Sequence, residues 1–258
     1  MHVDVLGSGP RIVLVHGSVS AGLLTWSAQR PLAERFTLVV LTRGGYAPNP
    51  PLEQIDFDQQ ADEIAALLES GDHLVGHSYG GVIALLVAAR RPNALASLTV
   101  VEPPALDVAR GHPAVEEFLD AFRGDVPSDP VEYLRFFLPY VGTGATIPDR
   151  LPPLLDSGAR AALAEQAPHE AVIPLESLRA APFPKLVVSG GHKEVFDAVC
   201  DVLEHELGAE RAVVKGAGHS IPRTGEPFNR VLEDFLRRSA VLPPGPAPRA
   251  GGSSDSPA

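Results

Sequence analysis

Cysteine is almost absent. Cys200 is the single thiol in 258 residues, so no disulfide can close within the chain. With no Cys/His spacing of the zinc type either, the sequence reads as that of a cytoplasmic protein without a metal. An excess of positive charge is missing as well. Against 32 Asp and Glu stand 21 Lys and Arg, a net charge of −11 at neutral pH. That balance argues against nucleic acid or an anionic membrane as partner, since both are held by a basic surface. No apolar run approaches the ~20 residues needed to cross a bilayer. The opening stretch MHVDVLGSGPRIVLVHG lacks the basic segment, apolar run and small-residue cleavage site of a secretion signal. VLGSGP is too short and wrongly placed to cradle a dinucleotide. Internal repeats are missing too, and no cofactor is called for.

What is present is a chain of ordinary globular composition, 45% hydrophobic and 21% charged. Its length suits one large α/β domain or two small ones. Short apolar, β-branched runs alternate with helix-like segments. RIVLVHG (11–17), FTLVVL (36–41), HLVGHS (73–78), LASLTVVEPP (95–104), PKLVVSGG (184–191) and RAVVKGAGH (211–219) read as strands. Several are apolar on both faces, as a buried parallel sheet requires. FDQQADEIAALLE (57–69) has helical spacing, with Ile64, Leu67 and Leu68 on one side. This alternation predicts a doubly wound, mostly parallel sheet with helices on both faces.

Between 104 and 182 the rhythm stops. The segment is rich in proline and carries amphipathic pieces, HPAVEEFLDAFRG and DPVEYLRFFLPYVG among them. In the second, Pro130 suits a first helical turn and Asp129 its cap. We read 1–103 and 183–240 as the core and 104–182 as a helical lid inserted into it. Phe118, Phe122, Tyr133, Phe136, Phe137 and Tyr140 either line a pocket or bind the insertion to the core. Residues 241–258, Pro/Gly/Ser-rich, are expected to be a disordered tail.

The chemistry-bearing stretch is LVGHSYGG (74–81). Gly76-His77-Ser78-Tyr79-Gly80 fits G-x-S-x-G, with an apolar strand before it and a helix-like run after it. A sharp strand-to-helix turn lifts the serine hydroxyl off the sheet edge, and flanking glycines avoid clashes with neighbouring backbone. The helix N-terminus favours negative charge developing there. Serine needs a base, and His219 in GAGHSIP is the best placed. It follows the last strand and precedes a final helix over GEPFNRVLEDFL, on the sheet edge that carries Ser78. His16 reads as a structural hydrogen-bonding residue that shapes the turn, and His77 as one that packs or hydrogen-bonds beside the elbow. The N–H groups of Ser18 and Tyr79 are the candidate oxyanion hole.

In this order — the HG loop, TRGGY after the second strand, the Ser78 elbow, a helical insertion, a late histidine — the chain resembles the α/β-hydrolase superfamily over roughly 1–240. The resemblance implies acyl transfer to Ser78, hydrolysis by water activated through His219, and an oxyanion hole at Ser18 and Tyr79. It also implies a carboxylate that orients the histidine. Most relatives carry it after the strand that here reads KLVVSGG, where this chain offers Glu194 and Asp197. Some relatives, certain haloalkane dehalogenases among them, place it at the end of the strand before the insertion. Here that position is Glu102, in TVVEPP, and it is the preferred candidate. Thr42 in TRGGY stands where many relatives have aspartate.

The expected function is a cofactor-free serine hydrolase acting on an ester, thioester or lactone of small to medium apolar groups. A carbon–carbon lyase or oxygenase using His219 as base, or a non-catalytic binder of small molecules, are the alternatives. The oligomeric state stays open.

Overall fold

The computed structural model describes residues 1–241. The tail expected over 241–258 lies outside the described residues, apart from Val241 at the end of the last helix. Seven strands form one sheet in the order β1-β3-β2-β4-β5-β6-β7. They are β1 (His2–Gly7), β2 (Arg11–Val15), β3 (Thr37–Thr42), β4 (Asp72–His77), β5 (Leu95–Val101), β6 (Lys185–Ser189) and β7 (Glu210–Val213). β1 pairs antiparallel with β3, and every other pairing is parallel.

The sequence reading missed β1 and overextended β7. β1 is an edge strand with Val5 60% exposed, so it lacks the two-sided apolar signal of a buried strand. β7 stops at Val213 because GAGH turns away with Gly216 at φ 79° and Gly218 at φ 60°. Such backbone suits glycine and ends a strand.

The strands are buried on both faces, as their composition requires. Along β2, Val13 and Val15 pack with residues of α2 (Phe57–Leu67), α3 (Tyr79–Arg90) and α8 (Glu194–Leu207). Ile12 and Leu14 point the other way, against Trp26, Phe228, Leu232 and Phe235, the last three on α9 (Glu226–Val241). The period of two thus splits one strand between two cores. A short helix, α1 (Gly22–Thr25), follows the loop after β2.

The chain between β5 and β6 carries α4 (Pro113–Phe122), α5 (Pro130–Tyr140), α6 (Pro153–Ala164) and α7 (Leu175–Ala180). α5 starts where its sequence dictates: the Asp129 carboxylate accepts from the Val131 and Glu132 N–H groups at 2.9 and 3.1 Å, and Pro130 occupies the first turn. A small cluster of Tyr133, Leu134, Leu151, Ala159 and Ala162 holds α5 to α6. Among the described residues, no helix is long and apolar enough to cross a membrane.

The strand order reverses about β2: β3 lies on one side of it and β4 on the other. A crevice opens at the carboxyl ends of strands at such a switch point. The β2 loop at 16–19 and the β4 turn at Ser78 meet there.

Candidate active site

The β4–α3 turn places Ser78 at φ 53°, ψ −127°. A non-glycine residue in that region is held by its surroundings. Its neighbours leave no room for side chains. A Cβ on Gly76 would stand 2.3 Å from the Gly80 carbonyl oxygen, and one on Gly80 would stand 2.4 and 2.5 Å from those of His16 and Val15. Both glycines of G-x-S-x-G are therefore set by backbone contact. Ser78 N–H donates to the Val101 carbonyl at 2.8 Å, tying the turn to the tip of β5.

Three predicted residues come together. Ser78 Oγ lies 2.8 Å from His219 Nε2, and His219 Nδ1 lies 2.7 Å from Glu102 Oε2. Since the carboxylate accepts, Nδ1 carries the proton and Nε2 presents its lone pair to the serine hydroxyl. Glu102 is fully buried, just beyond β5, with φ 44°. Its other oxygen accepts from the Gly190 N–H at 2.6 Å and faces His192 Nδ1 at 3.3 Å. The His219 ring stacks on Phe196, centroids 4.5 Å apart. Its carbonyl accepts from His77 Nε2 at 2.8 Å, which gives His77 the packing and bonding place expected of it.

Burial disfavours charge on both partners. It holds the His219 imidazole below its usual range, with His192 adding repulsion, and raises the Glu102 carboxyl against the opposing pull of the Gly190 N–H and His192. His219 rests as a neutral base.

The other two candidate acids lie elsewhere. Glu194 opens α8 and is exposed. Asp197, one turn into that helix, accepts from Ser189 Oγ at 2.6 Å and Arg211 Nη2 at 3.2 Å.

Gly17 packs against the elbow so closely that a Cβ there would stand 2.7 Å from Ser78 Cβ. The next residue, Ser18, and Tyr79 therefore flank the serine. The Tyr79 N–H begins α3 and has no carbonyl within the helix to bond. His16 shapes this loop: Nδ1 donates to the Gly17 carbonyl at 2.7 Å and Nε2 accepts from the Arg43 N–H at 3.0 Å. Burial keeps it neutral, well below its usual range.

Several residues escaped sequence reading. Arg43 is fully buried, donating to the His16 and Gly17 carbonyls at 3.0 and 2.9 Å and to Gln60 at 2.8 Å. It also pairs with Glu165, just beyond α6, which accepts from Tyr46 and Ser18 as well. Arg43 and Tyr46 stood in the TRGGY motif. Glu165 carried no signal, being one carboxylate among many in a proline-rich segment. His192 carried no signal either, being a lone histidine in the loop after β6.

Two cavities reach Ser78. One is walled by Phe118, Leu119, Phe122, Tyr133, Phe137 and Phe196 together with Ser18, Tyr79 and Glu165. The other includes His219, His77, Thr143, Thr146, Leu154 and Arg223. Four of the six insertion aromatics thus line a cavity, while Phe136 and Tyr140 pack on each other and on Phe122. Cys200 is buried, which pushes its thiol up and out of the reactive range. Among the described residues, no cluster of three or more His, Cys, Asp or Glu is placed to hold a metal ion.

Comparison with known proteins bears on the family and the fold. Over 102 residues the chain is 36% identical to a pimeloyl-(acyl-carrier protein) methyl ester esterase of Chromobacterium violaceum, covering 39% of this chain and 40% of that one. An esterase of the same name from Methylococcus capsulatus is 30% identical over 132 residues, 48% of this chain and 52% of that one. The chain spans about half or less of these curated relatives. Among solved structures, a putative aryl esterase from Burkholderia cenocepacia superposes with a TM-score of 0.66 at 21% identity, covering 93% of this chain and 95% of that one. A thermophilic esterase from Thermogutta terrifontis gives 0.63 at 22% identity, covering 92% and 93%. At that identity they share the fold. The model of the alpha/beta hydrolase family, however, matches residues 12–232, from β2 into α9, and with that span the chain belongs to the alpha/beta hydrolase family.

Proposed function

We propose that the protein is a serine hydrolase that cleaves an ester, thioester or lactone of a small to medium apolar substrate, using its own side chains and water. The observation that carries this reading is the chain Ser78 Oγ–His219–Glu102, at 2.8 and 2.7 Å, with the serine held at positive φ beneath an apolar cavity. Relatives and structural neighbours named as esterases support the reaction class.

Ser78 Oγ attacks the substrate carbonyl carbon while its proton passes to His219 Nε2. The new C–O bond pushes the carbonyl electrons onto oxygen, between the N–H groups of Ser18 and Tyr79. Each such donor is worth roughly 3–4 kcal/mol of barrier. Collapse breaks the bond to the leaving group, which takes the proton from Nε2. Water then attacks the acyl-serine, gives its proton to His219, and the acid departs with Ser78 restored. Throughout, Glu102 keeps Nδ1 protonated and faces the transient imidazolium.

Helices α4 and α5 contribute most of the aromatic wall and, with α6, act as the lid. The walls favour an acyl group rich in carbon. A carrier-bound or methyl ester, as in the names of the relatives, falls within this class.

The test is intact-protein mass after exposure to a small fluorophosphonate. One adduct is expected on the wild type and none on Ser78→Ala. No adduct on folded wild-type protein, with a second, smaller phosphonate also inert, overturns acyl-serine chemistry and leaves His219 acting as a base without a nucleophile.

A further inference from the structure

The loop at 16–19 is strained, and the side chains that hold it converge on a residue of the insertion. Val19 is β-branched yet sits at φ 68°, a conformation such a residue adopts only when its surroundings impose it. Four consecutive residues are gripped. Arg43 Nε and Nη2 donate to the carbonyls of His16 and Gly17 at 3.0 and 2.9 Å. Ser18 Oγ donates to Glu165 Oε2. The Val19 N–H donates to Tyr46 Oη at 3.3 Å, and Tyr46 Oη donates in turn to Glu165 Oε1 at 2.8 Å. Arg43 Nη2 also donates to Glu165 Oε1. All four grips therefore converge, directly or through Arg43 and Tyr46, on one carboxylate, whose side chain is 5% exposed.

Glu165 is itself pegged to the core. The Ile55 N–H donates to the Ala164 carbonyl at 2.7 Å, and the Gln166 N–H donates to the Ile55 carbonyl at 2.8 Å. The adjacent residue completes the pattern: Tyr79 Oη donates to the Gln166 carbonyl at 3.0 Å. So the two residues whose N–H groups face the developing oxyanion, Ser18 and Tyr79, are both fastened to 165–166. One is held by a side chain, the other by a backbone carbonyl. The Arg43 guanidinium lies over the Tyr79 ring, 4.9 Å from its centroid, and joins the two halves.

We infer that Glu165 is a positioning residue for the oxyanion hole: by gripping Ser18 Oγ directly and Gly17 and Val19 through Arg43 and Tyr46, it aims the Ser18 N–H at the oxygen of the tetrahedral intermediate. The inference rests on the Ser78 reading above. It makes seating of the insertion a condition for catalysis, since the oxyanion loop is complete only with α6 docked. Glu165 takes no proton and touches no reacting atom. Its negative charge is balanced by Arg43, so it does not oppose the oxyanion.

A donor aimed at the transition state affects turnover and leaves ground-state binding nearly alone. The experiment is steady-state hydrolysis of p-nitrophenyl butyrate by Ser18→Ala, Glu165→Gln and the double variant, with Ser78→Ala alongside and the melting temperature of each. Ser18→Ala keeps the backbone N–H and removes only the grip. It is expected to lower kcat about 5- to 20-fold with KM nearly unchanged, and Glu165→Gln to lower it about 10- to 100-fold, less than the roughly 10²–10³ for outright loss of an oxyanion donor because the N–H is misaimed and not removed. The double variant is expected to fall little below Glu165→Gln, because the two act through one contact. Should Glu165→Gln fail to fold, Ser18→Ala decides alone. Wild-type kcat in Ser18→Ala, or a loss carried by KM, overturns the inference while an inactive Ser78→Ala leaves the serine reading standing. Full turnover by Ser78→Ala overturns both.

Discussion

Glu102→Gln is the sharpest perturbation of the site, because the structure dictates how the new amide must lie. Glu102 Oε1 accepts from the Gly190 N–H at 2.6 Å, and Oε2 accepts from His219 Nδ1 at 2.7 Å. A glutamine has one acceptor oxygen for these two donors. With its oxygen toward Gly190, its NH2 meets Nδ1, which must shed its proton. The imidazole then carries hydrogen on Nε2, pointing at Ser78 Oγ, and cannot act as base. Flipping the amide restores the tautomer but sets NH2 against the Gly190 N–H, leaving buried donors unmatched at about 1–3 kcal/mol. The tautomer alone thus removes roughly one to two powers of ten, at 1.36 kcal/mol for each. Loss of the carboxylate opposite the imidazolium adds more. The expected fall in kcat is on the order of 10³–10⁴, the scale of the equivalent change in other triads. Ester hydrolysis with active-site titration by fluorophosphonate measures it, and thermal melting checks the fold. Since the swap replaces a buried carboxylate by a neutral isostere, the melting temperature should hold. A folded variant that loses less than about 10-fold, or an Asp197→Asn variant that loses as much, refutes the reasoning.

The acid limb of kcat/KM should belong to the His219–Glu102 pair, since protonating either Nε2 or the carboxylate stops the base; burial lowers the first and raises the second. Glu102→Gln removes one of the two titrating groups and should move the limb; a pH–rate profile whose limb that change leaves in place contradicts the assignment. Phe122→Ala should open the aromatic cavity and shift preference toward longer acyl chains. Two extra buried methylenes are worth about 1.6 kcal/mol, or roughly 15-fold in the ratio of kcat/KM for long over short p-nitrophenyl esters; an unchanged ratio would mean the acyl group lies elsewhere.

What the sequence displayed were features repeated in pattern. β2 to β6 announced themselves because both faces of each are covered, so their apolar runs are unbroken. β1 pairs on one side only, leaves Val3 and Val5 exposed, and has no such run. Ser78 was legible because its constraint is local: Gly76 and Gly80 touch backbone that the motif itself, or the strand just before it in space, supplies. Glu165 was illegible for the opposite reason. Its partners Ser18, Arg43 and Tyr46 lie more than a hundred residues away, and no spacing rule joins them to a carboxylate at the end of α6.

The position of the acid follows from strand register. β5 and β6 are parallel neighbours, with Val101 opposite Val188. The two strand tips therefore stand side by side, about 4.8 Å apart in the direction of the sheet hydrogen bonds. A carboxylate rising from either tip can reach the same imidazole. In this chain the β6 tip offers Gly190, where a Cβ would lie 2.5 Å from the Gly218 carbonyl oxygen and 3.2 Å from Glu102 Oε1. No side chain fits there, and what the β6 tip contributes is a backbone N–H to a carboxylate coming from β5. Glu102 reaches across by turning its backbone to φ 44° before two prolines. The longer glutamate stem spans the gap to the loop that carries His219. Gly190 itself can carry no acid, because the Gly218 carbonyl of the His219 loop presses on its backbone. The glycine at 190 and the glutamate at 102 are therefore one feature, and Gly190→Ala should impair turnover by displacing Glu102 even though it removes no functional group.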